Sequence, residues 1–438
     1  MSVSNDTFVC SSCIGEAWIK NELFVQAAGR VCDYCSSTLA TGSVEVLVPR
    51  VGQVLKEHFY RSDISRDEFH EDVGKPAREI ISDILQAKDV VVDDVLNRLC
   101  RGGFRVEEGW GESVPITEKS NFAVSFASSQ AHEKEWGNFR RSLKENCRFF
   151  NKDALDYLSS IFLNLAALSI GKEDVSVFVG PSHEIKELYR AREFQSHDAL
   201  CNALFEIDSA MGAPPGRVAS AGRMNAHGIS VFYGALRSDV AISEVRPSVG
   251  SKVVVGRFKL LRNLSLLNLG AFCHMEAKGS FFDPDFIRRK EKIAFLSKLR
   301  EHVSRPVGPN DHLLEYVPTQ VVADFLASFT DWDGIIFDSV QSDELSGNVV
   351  LFNKAARSRP NLSTFEQVRP LVISLGSFIP PSIYIHDRSP KKGVWKPVDN
   401  RAETLELELY DLSIHEIKST LLKTTPGKIT VEDWQEVF

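Results

Sequence analysis

A chain of 438 residues with 43% hydrophobic and 25% charged side chains is long enough for two or three domains, each with its own core. Its formal net charge of −8 argues against a dominant nucleic-acid-binding face, and its longest apolar stretch, Tyr157 to Gly171, is too short and too interrupted to span a bilayer. With no basic-then-apolar leader pattern, the expectation is a soluble cytoplasmic protein without a membrane partner.

The first element along the chain is a cysteine pattern. Cys10-x2-Cys13 is followed after eighteen residues by Cys32-x2-Cys35. Two residues between cysteines let both thiolates of a knuckle turn onto one metal, and two such pairs complete a tetrahedral site. A structural zinc on Cys10, Cys13, Cys32 and Cys35 is expected; four thiolates leave no open position for catalysis. The redox-pair and double-disulfide readings do not suit paired spacing in a cytoplasmic chain. The other four cysteines, Cys100, Cys147, Cys201 and Cys273, stand singly and read as reduced thiols.

Alternation predicts a short strand over Ser43–Pro49. From Val51 to Ile170 the apolar spacing is three and four residues ("AREIISDILQ", "VVDDVLNRLC", "EKEWGNFRRSLKENCRFF", "ALDYLSSIFLNLAAL"), which predicts an all-helical domain with a Gly-rich break near residue 102. "GKEDVSVFVGPS" reads as a linker. Beyond Glu187 strand patterns ("SKVVVGRFKLL", "LSLLNL", "DGIIFDSV", "NVVLFN") mix with helical ones ("HDALCNALFEIDSAMG", "PTQVVADFLASF"), the texture of an α+β domain. A Pro-rich, charged tail follows, with an edge strand expected at "SIYIHD" and a helix at "DLSIHEIKSTLLK". The division expected is 1–48 knuckle, 49–175 helical, 176–360 α+β, and 361–438 extension.

Four pieces of the third region carry chemistry: "LYRAREF" with Arg190 and Arg192, "AGRMNAHGISVFYG" with Arg223, Asn225 and Tyr233, "DVAISEVRP" with Glu244, and "WDGIIFDSVQSDELSGNVVLF" with Ser339 and Asn348. Each has an ordinary explanation alone. The arginines could be surface charges flanking a strand, Tyr233 a sheet-face aromatic, Glu244 a solvated helix residue and Ser339 a helix cap.

Their ordered combination resembles the RES domain, named for Arg, Glu and Ser, over roughly Glu187 to Asn353. Ala221 and Met224 stand where that family usually has Gly and Trp. The resemblance implies a mixed α/β fold related to ADP-ribosyltransferases and a toxin-type activity that destroys NAD at its nicotinamide–ribose bond. The knuckles and helices ahead of it resemble a HEPN-like module found fused to RES domains. Carried onto this chain, the catalytic residues are Glu244, Arg190 and Ser339. NAD as substrate would contact Arg190, Arg223, Asn225, Tyr233 and Asn348. The residue types suit that substrate: guanidiniums bind a pyrophosphate through charge-assisted hydrogen bonds. A carboxylate stabilises the oxocarbenium-like state of glycosyl cleavage, and a tyrosine face suits a pyridinium ring.

The expected partners beyond NAD are an antitoxin or trigger protein and a second copy of the chain, with the N-terminal module regulatory. Transfer of ADP-ribose to a protein or nucleic acid is the rival within the fold. A HEPN-type RNase would need an Arg-x4–6-His motif; Arg66 to His70 is one residue short, and Arg192 to His197 falls inside the RES match. A zinc-binding interaction protein without enzymatic activity is the remaining alternative.

Overall fold

The computed structural model describes residues 6–24, 30–62, 74–107, 113–125, 130–163, 165, 169–171, 174–304, 312–338, 347–360, 364–368, 383–386 and 399–419. The protein is α+β and divides into two compact units, Met1–Val175 with Ala271–Val303, and Ser176–Gly270 with Ser304–Phe438.

In the first unit, strands β1 (Phe8–Cys10) and β2 (Thr41–Ser43) pair antiparallel. Helix α1 (Val44–His58) follows directly, so the strand expected over Ser43–Pro49 is instead the start of a helix. The reason is local: Ser43 accepts a hydrogen bond from the Glu45 N–H, and residues 44, 47, 48, 51, 54 and 55 form one buried stripe. Phe104 packs over Gly52 so closely that a Cβ there would overlap its ring. Helices α2 (Ala77–Leu85) and α3 (Asp89–Arg101) bury matching stripes, Ile80, Ile81, Ile84, Leu85 and Val91, Val92, Val95, Leu96, Leu99. These residues share one core with Cys10, Cys13 and Cys32. Helices α4 (Gln130–Arg141) and α5 (Lys152–Phe162) follow, the second capped by Asn151 on the Ala154 N–H at 3.0 Å. The region is not purely helical: short antiparallel pairings join 59–61, 75–76 and 121–124, and a hairpin pairs 105–107 with 113–115 across the Gly-rich break.

The second unit is built on a nine-stranded sheet. Its strands are β3 (Ser176–Val179), β4 (Glu187–Phe194), β5 (Phe232–Ala235), β6 (Lys252–Leu260), β7 (Leu264–Asn268), β8 (Gly334–Asp338), β9 (Gly347–Leu351), β10 (Leu405–Leu407) and β11 (Ser413–Glu416). The order is β10-β6-β4-β5-β9-β8-β7-β3, with β11 also on β6; β7 and β8 run parallel and the other neighbours antiparallel. Two expectations change here. The stretch read as a linker contributes β3, paired with β7 from Leu264↔Val179 to Leu267↔Ser176. The predicted tail helix begins as β11, because the two-residue alternation of "SIHE" matches the free side of β6; residues 420–423 of that helix lie outside the described residues.

One face of the sheet carries Leu188, Phe194, Phe232, Val254, Phe258, Val349 and Leu351 in the larger core. The other carries Ala191, Ala235, Val253 and Val255 beneath helix α6 (Ser238–Glu244) through Val240 and Ala241. Helix α7 (Val317–Phe329) precedes β8.

Candidate active site

Strand β4 is held to β6 by eight register pairs but to β5 by one, Tyr189↔Ala235. The sheet therefore opens along the β4–β5 seam beyond Tyr189, and Arg190 is the next residue. Alternation puts Arg190 on the face of Leu188 and Phe194. Its guanidinium lies 5.2 Å from the Phe232 ring centre, and its Nη1 is buried without a hydrogen-bond partner among the described residues. Burial and then the charge of Arg192 push Arg190 down to about 10, so it is still a cation at neutral pH. Arg192 is exposed and differently engaged: its Nη1 donates to the Ala210 carbonyl at 2.8 Å. His197 meets the Cys201 thiol at 3.4 Å, so neither residue of the Arg192–His197 spacing contributes to a nuclease-type pair. Arg66 to His70 lies outside the described residues.

The loop before β5 folds on Asn225. Its Nδ2 donates to the carbonyls of Ser220, Ala226 and Ile229 at 2.9, 3.1 and 3.0 Å, and its Oδ1 accepts from the Tyr233 hydroxyl at 2.8 Å. The Tyr233 oxygen in turn accepts from the Met224 N–H at 3.0 Å. Asn225 is 2% exposed, with its polar atoms engaged inside the loop. Gly222 closes the turn; a Cβ there would lie 2.5 Å from Asn225 Oδ1 and 2.6 Å from the Tyr233 oxygen. Met224, in the place of a more usual Trp, is buried. Burial raises the Tyr233 phenol to about 12, against the Met224 N–H and the positive charges of Arg223 and Arg190. Tyr233 thus joins Asn225 and the Met224 backbone in one hydrogen-bonded loop beside Arg223, while Arg190 lies by alternation on the opposite face of the sheet.

A second group forms at the end of α6. Glu244 is exposed, yet its Oε1 accepts from the Asn348 Nδ2 at 2.5 Å, while Asn348 itself is 4% exposed with its Oδ1 unpartnered. The two groups are linked through β5 and β9. Tyr233 pairs with Val350 and Ala235 with Asn348, so Tyr233 and Asn348 share a sheet face two residues apart. Ser339 lies outside the described residues.

The sequence reading assigned nothing to the first turn of α7, although it braces the loop. Thr319 Oγ1 donates to the Arg223 carbonyl at 2.7 Å and Gln320 Nε2 to the Gly222 carbonyl at 2.8 Å. Just ahead of the helix, the Tyr316 ring lies 5.6 Å from the Arg223 guanidinium. The available signal was a polar Thr-Gln pair at the start of an otherwise apolar helix.

In the first unit, the sulfur atoms of Cys10, Cys13, Cys32 and Cys35 all lie within 4.8 Å of one another, and none is in a disulfide. Cys10 and Cys35 are 3.4 Å apart, Cys13 and Cys32 4.0 Å. Zinc–sulfur bonds of about 2.3 Å give tetrahedron edges of about 3.8 Å, between these values. Both knuckles are formed: the Cys13 N–H donates to the Cys10 carbonyl at 3.0 Å, and the Ser36 N–H to that of Cys32 at 2.9 Å, with Ser36 in the left-handed region at φ 57°. Burial pushes the Cys10 thiol up, but hydrogen bonds with Cys35, the Ser12 backbone, Cys13 and Cys32 outweigh it and bring it to about 7. Burial and the same neighbours push Cys13 up. Four thiols this close cannot all ionise without a cation among them, so the donor set fits a metal ion.

Among the described residues, no helix is long and apolar enough to cross a membrane. No curated protein matches the chain. Residues 187–372 match the RES domain family, a stretch that holds both groups around Tyr233 and Glu244. Over residues 187–372, and there alone, the chain is similar to the RES domain family.

Proposed function

We propose that this RES domain cleaves the nicotinamide–ribose bond of NAD, passing the ADP-ribose half to water or phosphate. The observation that carries the reading is the Arg190 Nη1, a buried cationic donor without a partner among the described residues, at the seam where β4 and β5 part. An unmet buried donor is costly in a free protein, and a phosphate oxygen of a dinucleotide would satisfy it. Arg223, stacked on Tyr316, supplies a second guanidinium. Asn225 braces the loop that carries Arg223.

In the reaction, the bond between ribose C1′ and the nicotinamide nitrogen breaks with its electron pair going to nitrogen. The leaving group departs neutral and needs no acid. Positive charge develops on the ribose, where the Glu244 carboxylate, aimed by Asn348, stabilises it. Tyr233 offers the face for the pyridinium ring and Ser339 a hydroxyl for the carboxamide or ribose. An oxygen of water or phosphate then bonds to C1′, and its proton leaves to solvent. The four-cysteine cluster is read as a structural zinc site, and the N-terminal unit as regulatory.

Incubating the purified chain with NAD, while following nicotinamide and the ADP-ribose half, tests the proposal. Nicotinamide release with free or phosphorylated ADP-ribose is expected. ADP-ribose recovered on a macromolecule would favour transfer instead, and intact NAD would reject the reading.

A further inference from the structure

The family match runs unbroken from 187 to 372, but the chain does not stay in one unit over that span: residues 271–303 pack in the first unit. The attachment is extensive. Met275–Ala277 pairs antiparallel with Ser169–Gly171. Phe282 belongs to the core that holds α1, α2, α3 and three of the metal-site cysteines, and Phe281 packs against it. His58, buried on α1, is met edge-on by Phe281 at 5.3 Å and Phe286 at 5.5 Å.

The long helix Phe286–Ser304 continues the contact. Lys290 Nζ donates to the Ser125 carbonyl at 3.2 Å and Lys292 Nζ to that of Ser160 at 2.5 Å. The fully buried Phe295 lies 5.6 Å from His132 and 6.3 Å from Trp136. His302 stacks on Trp136 at 5.7 Å and meets Glu133 at 3.3 Å.

We infer that residues 271–303, although they lie inside the stretch matched to the RES domain, are an obligate part of the N-terminal folding unit. The physical basis is cooperativity. A segment that buries its large side chains in one core gains and loses order with that core.

Native-state hydrogen exchange on the full chain, in rising sub-denaturing urea, tests this without presuming the reaction. The slowest amides of 286–303 should share the urea dependence of α1 and α3 and differ from those of β6 and β9. In the Val95→Asp full chain, which places a charge in the first unit's core on α3, exchange in 286–303 should rise at least tenfold together with α1. The strands β6 and β9 should keep their protection. A segment that follows β6, or a single common dependence for all elements, overturns the shared folding unit. Protection of 286–303 left unchanged in Val95→Asp while α1 opens likewise overturns it.

Discussion

At the residue scale, Arg190 and Glu244 are set up in opposite ways. Arg190 is a cation pushed into a site that leaves one donor unmet, and Glu244 is a carboxylate left in solvent but aimed by a buried amide. Arg190→Leu is therefore expected to stabilise the ligand-free protein by about 1 kcal/mol, the cost of an unsatisfied buried donor, while abolishing NAD binding. Thermal melts and calorimetric titration with NAD check the two halves; a destabilised variant that still binds NAD would contradict the assignment. Glu244→Gln keeps shape and the reach of Asn348 but removes the charge. Turnover should fall by roughly two orders of magnitude or more, the scale of losing one preorganised electrostatic group, with a smaller change in KM. Nicotinamide release at the unsubstituted rate would reject the role given to Glu244. The types of these residues were readable from the chain, and so was their order. That Asn225 spends its donors on three carbonyls of its own loop was not, because those acceptors are backbone groups brought round by the fold.

At the scale of elements, the first turn of α7 serves as a brace for a loop almost a hundred residues away in sequence. Gln320→Leu removes the donor to the Gly222 carbonyl and should raise KM for NAD several-fold, with Gln320→Asn restoring part of it. Michaelis profiles with a melting curve separate this from general loss of fold: an equal fall in stability with no change in KM would contradict it. The four-cysteine cluster makes a separate prediction. Cys32→Ser should lose the bound metal, read by elemental analysis, and destabilise the first unit ahead of the second. Retention of a full metal equivalent would mean that Cys32 is not a ligand. Elements with strong periodicity, such as β4, β6 and α3, stand where the pattern puts them. Those that changed, the Ser43–Pro49 stretch and the tail at Ser413–Glu416, are short runs in which two periods fit equally. A cap decided the first and a free sheet edge the second.

At the scale of the molecule, the chain passes from the second unit to the first at residue 271 and returns at 304. A protein starting near Gly171 would keep 271–303 but lose the core that buries Phe282 and the partners of Phe295 and His302. It is expected to aggregate on expression, whereas the full chain stays in solution; size-exclusion chromatography of both reads the outcome, and a monodisperse truncated form would argue against the shared core. The sequence by itself determined the parts that depend on residue type and near spacing. These are the two cysteine pairs, the α+β texture, and an ordered set of Arg, Tyr, Glu and Asn that resembles the family matched over 187–372. What only the tertiary structure decided depends on partners far apart in the chain. Arg190 Nη1 has no partner among the described residues at the seam where β4 and β5 share a single pair, Glu244 is aimed because Asn348 comes to lie beside it, and a helix inside the matched stretch packs in the first unit. The long helix Phe286–Ser304 mixes charged and apolar residues with almost no amphipathic stripe, so its pattern carries no mark of its destination; packing alone selects it.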